Sequence, residues 1–373
     1  MTDQQRFDTV PPFGRAFTPW LEHFYNNYAI SFTNTYCTSP HCCPSRASFF
    51  SGLYPSEHGV WNNVDVPNAL SRGLNENIRL FSQDLIDEGY VAYFSGKWHI
   101  SAEEGPEEYG FSEVFNNVKY SGRSYKRIHK DSIEWQYYSA NEQSGFSASN
   151  SYNKKLDRIN NKPQGLLWRE GYPDFYIYGM DENPFNDNDV VERAEKMLDK
   201  ALAEEQPWLL FVGTLGPHDP YKVPECFVDM YNDVQIELPI NFNDCMYDKP
   251  SLYRRTRDRF SQLSIEEYKQ AIKHYLAFCS YEDHLFGRLY SKIIKSGKIN
   301  DTIIIYISDH GDYAGEHGLF TKGLPCFDGA YHIPFLIGGY GIKGAKSYDS
   351  LVSIVDIAPT ILEFADVDPQ RKL

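Results

Sequence analysis

The stretch "DTIIIYISDHGD", residues 301–312, decides the fold. Ile303 to Ile307 form an unbroken apolar run. With its flanks, "DTIIIYIS" (301–308), it gives the strongest strand reading in the chain. Asp309 and His310 follow it at once. Ligands of open α/β sheets bind outside the carboxyl ends of the strands. The polar pair therefore marks a candidate site, and the other strands can be searched for polar residues in the same position.

Three more strands fit. "YVAYFSG" (90–96) runs into Lys97 and His99 of "GKWH". "PWLLFVG" (207–213) is continuously apolar, reads as buried, and precedes His218 of "GPHDPY". "AISFTNTYC" (29–37) alternates like a half-buried strand and precedes Cys42 to Arg46 in "CCPSRASFFSG". Pro44 there suits a first helical turn, and Gly52 suits a helix end. "IPFLIGG" (333–339) is a further strand. Helical spacing appears over 78–89 and 188–205. Ser264 and Glu267 form a capping box ahead of a long helix reaching about Ser296. A final helix is expected over 353–367, interrupted early by Pro359. This alternation predicts an α/β fold with a mostly parallel central sheet flanked by helices on both faces, as one domain over 1–373. Between 118 and 186 the pattern dissolves into a Tyr-, Ser-, Asn- and Gly-rich stretch, read as a long insertion.

Bulk properties narrow the function. The net charge of −15 argues against a nucleic-acid partner, which calls for a basic surface. No apolar run approaches the ~18–20 residues of a membrane span. The seven cysteines include no CxxC pair, so neither a zinc ribbon nor a disulfide framework is indicated. No signal peptide is recognised, which leaves the compartment open. The 28 tyrosines and 24 phenylalanines would suit stacking on sugar or aryl rings.

Taken singly, each polar cluster has a plainer reading: a capped loop, a surface turn, a packed thiol. Together, at several strand ends, they specify chemistry. Asp3, Asp309 and His310 are oxygen and imidazole ligands suited to a divalent cation. Arg46, Lys97, Lys322 and the helix start after Cys42 supply positive charge. His99 and His218 can move protons near neutral pH. The set reads as a metal-assisted site for a tetrahedral oxyanion, a sulfate or phosphate ester.

"CCPSRASFFSG" resembles the sulfatase signature C-x-P-S-R, with Cys42 first, Cys43 at the variable place, and Pro44, Ser45 and Arg46 completing it. "TDQQRFDT", "GLYPSEHGV", "GKWH", "GPHDPY", "SDHGDYAGEHGLFTKG", "FDGAYHIPFLI" and "LVSIVDIAPTIL" also resemble sulfatase segments, in family order. The resemblance implies an alkaline-phosphatase-like fold and oxidation of Cys42 to formylglycine by a formylglycine-generating enzyme. One hydroxyl of the hydrated aldehyde would attack sulfur, and loss of a proton from the other would expel sulfate. The implied metal ligands are Asp3, Cys42 (as formylglycine), Asp309 and His310. Calcium is the first expectation, and manganese or magnesium come next. Arg46 would hold the hydrate, and Lys97 and Lys322 the sulfate oxygens. His218 would protonate the leaving alcohol and His99 would act as base, two roles that could be exchanged. Asn63 would touch the substrate. His58 and Asp312 are expected to shape turns, and His317 and His332 are weaker candidates for substrate contact.

Asp3-Gln4 stands where many relatives carry two acids, which is similar to the choline-sulfatase and phosphonate-monoester-hydrolase branch. The implied activity is hydrolysis of a sulfate ester, either a small molecule or a saccharide. The alternatives are hydrolysis of a phosphonate monoester or phosphodiester, and a binding protein if Cys42 stays a thiol. The resemblance also implies an apolar strand ahead of Asp3 and a smaller C-terminal subdomain. Truncation at both ends, with exposed strand edges, is therefore an expectation.

Overall fold

The computed structural model describes residues 1–66, 69–116, 161–168 and 174–370. Most of the insertion expected over 118–186 lies outside the described residues.

Helix α1 (Pro19–Tyr28) leads into strand β1 (Ala29–Tyr36), and helix α2 (Cys42–Ser51) follows. Pro44 lies in the first turn of α2, where no backbone N–H is needed, and Gly52 closes the helix at φ +66°. Helix α3 (Phe81–Asp87) precedes β2 (Val91–Gly96) and the short β3 (Glu113–Phe115). Next come α4 (Asp187–Ala203), β4 (Trp208–Gly213), the long α5 (Ile265–Ser296) and β5 (Ile303–Ile307). The chain continues through β6 (Phe335–Gly339) and β7 (Lys346–Ser353) to α6 (Ile357–Phe364). The Ser264–Glu267 capping box is formed in both directions, at 3.2 and 2.8 Å.

These strands make two sheets, ordered β7-β1-β6-β5 and β3-β2-β4, and the described residues add two short two-stranded ladders, Leu166–Leu167 with Phe175–Tyr176 and Tyr178–Met180 with Tyr221–Val223. Helices α2, α3 and α6 cover one face, around an aromatic core of Phe49, Phe50, Phe81, Phe94, Trp98 and Phe211. Helices α1, α4 and α5 cover the other, where Phe24, Leu198, Tyr290, Tyr306 and Leu336 pack. Helices on both faces match the expectation.

The sheet is mixed rather than mostly parallel. β6 runs antiparallel to both β1 and β5. The reason lies in the connection. Residues 308–334 contain no crossover helix longer than the one turn Asp328–Tyr331, so the chain re-enters the sheet at the end it left. β7 was not legible: six of its eight residues are exposed, so it shows no burial alternation. The last helix starts at Ile357, because 353–356 is taken up by the end of β7 and a 3₁₀ turn.

β4 and β5 face each other without pairing. Among the described residues, only the first ones of the chain bridge them: Thr2 N–H donates to the Ile307 carbonyl at 2.9 Å, and Thr214 N–H donates to that of Met1 at 3.2 Å. β4 is accordingly half-buried over Trp208–Leu210, not buried as its sequence suggests. β1, β2, β4 and β5 point the same way, so their carboxyl ends share one rim.

Candidate active site

Each of those four strands delivers polar residues to the rim, and Asp3 arrives from the bridging segment. Arg46 ties them together. Its guanidinium donates to Asp309 Oδ2 at 2.8 Å, to the Lys97 carbonyl at 2.8 Å, and to Asp3 Oδ2 at 3.2 Å. Arg46, Asp3 and Asp309 are all fully buried. Lys97 Nζ donates to Asp3 Oδ2 at 2.5 Å. Ser45 Oγ donates to the Asp309 carbonyl, which pins the first turn of α2 to the end of β5.

Cys42 sits inside this frame. Its Sγ lies 3.2 Å from His310 Nε2 and 3.7 Å from Asp3 Oδ1. His310 Nδ1 is 3.0 Å from the Gly311 carbonyl and must donate to it, so Nε2 is the nitrogen turned toward Cys42. That is the second contact that orients a metal-ligating imidazole. Burial opposes the charge on Asp3, as does Cys42, but Lys97, His218 and Arg46 hold its carboxyl well below the usual range. Burial would also raise the Cys42 thiol, yet Lys322, Lys97 and His310 bring it well below an ordinary cysteine. Two carboxylates, an imidazole nitrogen and the Cys42 side chain thus converge, with donor atoms all within 4.8 Å of one another. This donor set, two carboxylates and one imidazole with the Cys42 side chain as fourth member, fits a divalent cation of the calcium, magnesium or manganese type once an oxygen replaces the Cys42 sulfur.

A second cluster stands beside it. Lys322 Nζ donates to Gln4 Oε1 at 2.7 Å and to His218 Nε2 at 2.5 Å. His218 Nδ1 is 2.6 Å from the Asp219 carbonyl, and a quarter of this side chain is exposed. Gln4 Nε2 donates to Asp219 at 3.1 Å and to Asp312 at 2.5 Å, so its amide oxygen is the end turned to Lys322. Gln4 takes a positive φ of 68° to make these contacts. Asp187, at the start of α4, accepts the N–H groups of Leu215 and Gly216 at 2.9 and 2.7 Å, which latches the loop carrying His218.

His99 Nε2 lies 3.2 Å from Asp65 Oδ1, and a ring nitrogen of His99, the Asp65 carboxylate and Cys43 Sγ lie within 4.8 Å of one another. Asn63 Oδ1 accepts from the Cys43 N–H at 3.3 Å, so its carbonyl end caps α2 rather than facing open space. His58 is held by Ser48 and Val60, and Asp312 by Ala314, Thr321 and Tyr221, as turn-shaping residues should be. His317 bonds Asp244 and stacks on Phe327. His332 bonds the Thr33 carbonyl and stacks on Phe7. Both are engaged in structural contacts. Gln4's orientation, Asp219, Asp187 and Asp65 were not legible as site residues. Isolated Asp and Gln in loops carry no local signal of what they will meet.

A buried anionic donor set next to paired lysines and histidines, at one end of an α/β sheet, defines a metal-and-oxyanion site class. Comparison with known proteins makes this specific. The family model described as Sulfatase matches residues 1–367, and the chain belongs to the sulfatase family. It is 27% identical over 385 residues to an arylsulfatase of Clostridium perfringens, covering 98% of this chain and 74% of that one. It is 26% identical to a choline-sulfatase of Rhizobium meliloti, covering 90% of this chain and 60% of that one. In fold it is similar to a phosphonate monoester hydrolase from Silicibacter pomeroyi, with a TM-score of 0.71, 19% identity, and coverage of 99% and 72%. A structure solved with its substrate D-glucosamine-2-N,6-O-disulfate has a TM-score of 0.67 at 20% identity, with coverage of 99% and 76%. The chain thus spans between three fifths and three quarters of the length of these relatives.

Proposed function

We propose that the protein hydrolyses sulfate esters, with Cys42 oxidised to formylglycine. The observation that carries this reading is the place of Cys42: at the first turn of α2, buried, and within 3.2 Å of His310 Nε2. A divalent cation held by Asp3, Asp309, His310 and the Cys42 side chain supplies Lewis acidity there, and the formylglycine hydrate supplies the nucleophilic and releasing hydroxyls. The chain's own residues do the rest. Lys97 and Lys322 face the oxyanion and take up charge that develops on it. Arg46 keeps Asp3, Asp309 and the start of α2 in register. His218 lies on the partly open side of the site, and its Nε2 accepts from Lys322 here. The acid role requires the substrate to take Lys322 away and Nε2 to be protonated before it gives that proton to the leaving alcohol. His99 accepts a proton on the Cys42 side.

The aromatic composition and the disulfated glucosamine named for one fold relative favour a saccharide sulfate as substrate. Maturation requires a formylglycine-generating enzyme. The expected result is fast turnover of an aryl sulfate and slow turnover of the matched aryl phosphonate. The uncharged Gln4 and the fold likeness to a phosphonate monoester hydrolase favour the second reading, and a larger kcat/KM on the phosphonate would select it. Mass spectrometry of the peptide spanning residues 36–46 should find the aldehyde in protein matured with the modifying enzyme. A free thiol on Cys42 in active protein rejects the mechanism. Cys42→Ala should abolish turnover, and Cys43→Ala should leave most of it.

A further inference from the structure

Three side chains from three separate segments meet on the far side of Cys42's neighbour. A ring nitrogen of His99, a carboxylate oxygen of Asp65 and Cys43 Sγ lie within 4.8 Å of one another. Cys43 is fully buried in the first turn of α2. His99 follows β2 by three residues and takes a positive φ of 60°, a region β-carbon-bearing residues rarely enter. Trp98, fully buried, anchors the backbone beside it through Nε1–H to the Glu104 carbonyl at 3.1 Å. The Asp65 side chain is 42% exposed and gives the group its opening to solvent.

The three members are held in place. Val64 donates its N–H to Cys43 Sγ at 3.4 Å, the kind of outer contact that supports a metal-bound thiolate. Asn63 Oδ1 accepts from the Cys43 N–H, and Arg72 donates to the Val64 carbonyl at 3.3 Å. The stretch that carries Asp65 is therefore pinned to the start of α2. His99 Nε2 lies 3.2 Å from Asp65 Oδ1. Around a tetrahedral zinc ion, neighbouring ligand atoms stand roughly 3.3–3.6 Å apart, given the usual zinc–sulfur, zinc–nitrogen and zinc–oxygen lengths. From a limit of 4.8 Å, a shift of about 1 Å brings all three atoms to that spacing. The donor chemistry also differs from that of the neighbouring site. There, two carboxylates and one imidazole suit a hard cation. Here, a sulfur and an imidazole make up two of three donors and select a softer one. Three protein ligands leave a fourth position on the exposed Asp65 side for water.

We propose that Cys43, Asp65 and His99 form a second metal site, which takes zinc. The ion displaces the thiol proton of Cys43 and takes the place of the His99–Asp65 hydrogen bond. Zinc bound here commits His99 to the metal and arrests turnover, a consequence that rests on the base role given to His99 above. The test uses the full chain matured with the modifying enzyme, so that Cys42 is not a thiol, with calcium in excess. Cobalt(II), a spectroscopic stand-in for zinc, should give a sulfur-to-cobalt charge-transfer band that added zinc removes. Cys43→Ser, similar in size but unable to supply a thiolate, should lose the band and keep most of the turnover. Zinc should inhibit the parent, and Cys43→Ser should need about 10²-fold more zinc for half-inhibition, at or above the loss typical of an outer contact alone. A parent without the band, or an equal band in Cys43→Ser, overturns the proposal. So does inhibition of both proteins at the same zinc concentration, which assigns the ion to the Asp3 site. A band lost in Cys43→Ser with no inhibition of the parent upholds the metal site and rejects His99 as base. If the parent cleaves neither ester, the cobalt band read in a Cys42→Ala background still decides the metal site.

Discussion

β4 and β5 meet the rest of the molecule differently at their two ends. At the carboxyl end the segment Met1–Asp3 lies between them, and Arg46, Lys97, Asp3 and Asp309 are buried and mutually hydrogen-bonded. Further back, no described residue pairs with both strands. A cavity of about 160 Å³ opens on the α4–α5 side, lined by Val191, Leu198, Leu210, Ile304 and Tyr290. Another, of about 460 Å³, opens on the opposite side against Phe49, Leu85, Leu209, Ile305 and Ile361. The polar end is closed and tightly held, while the apolar end is open. Closure here follows from how completely groups are partnered, not from how apolar they are.

Breaking the polar end should have the largest effect. Arg46→Ala leaves two buried carboxylates without their guanidinium, which costs on the order of 3–5 kcal/mol for a buried pair. Denaturant unfolding should record that loss, and ester turnover should vanish with it. An unfolding free energy within 1 kcal/mol of the parent (about a fivefold change in equilibrium) would show that the network is not the clamp described.

The apolar comparison is sharper when made within one ladder. Ile337 in β6 pairs with Ile305 in β5 and is 3% exposed, whereas Ile304 is half-buried against the open cavity. Ile337→Ala should cost about 2–5 kcal/mol. Ile304→Ala should cost roughly half of that or less, because the methyls it removes border space already open. Equal losses would mean that the gap is filled in solution.

Unpaired edges with apolar flanks are templates for association. The chain 1–373 should bind an apolar fluorescent dye and self-associate with rising concentration in light scattering. Leu210→Lys, which puts a charge on the β4 edge, should reduce both. A dye-silent, monodisperse parent would contradict the open gap.

The smallest effect is expected from acid. Burial lowers the pKa of His58 to about 4, and as a neutral ring it bonds Ser48 and Val60. Its folded value lies below its unfolded value of about 6.5, so its contribution is fully present above pH 6.5 and is lost as pH falls toward 4. His58→Gln should flatten the thermal-midpoint profile over that window. An unchanged slope would assign the acid sensitivity to other groups.

Much of this was legible from local pattern. An unbroken Ile303–Ile307 run reads as a strand, although Ile303–Ile305 are only half-buried beside the gap, and polar residues immediately after such strands must reach a common rim. The ordered motifs around Cys42, Lys97, His218 and Asp309 brought the sulfatase resemblance with them. The exposed strand Lys346–Ser353 was not legible, because exposed residues follow no burial period. Nor was the reversed direction of β6, which depends on a loop re-entering where it left.

The sequence by itself determined the apolar strands, the rim, and the motif side chains that reach it. These follow from side-chain periodicity and from residues adjacent in the chain. Tertiary structure alone decided which atoms of those side chains face one another: the amide oxygen of Gln4 on Lys322, Asp187 on the His218 loop, and Asp65 on Nε2 of His99. Each is a contact between distant segments, and a hydrogen bond is specified by distance and direction, which residue order does not encode. The same holds for Cys42 and Cys43. They are equivalent as letters, and only the folded helix start turns the first toward His310 and Asp3 and the second toward the N–H of Val64.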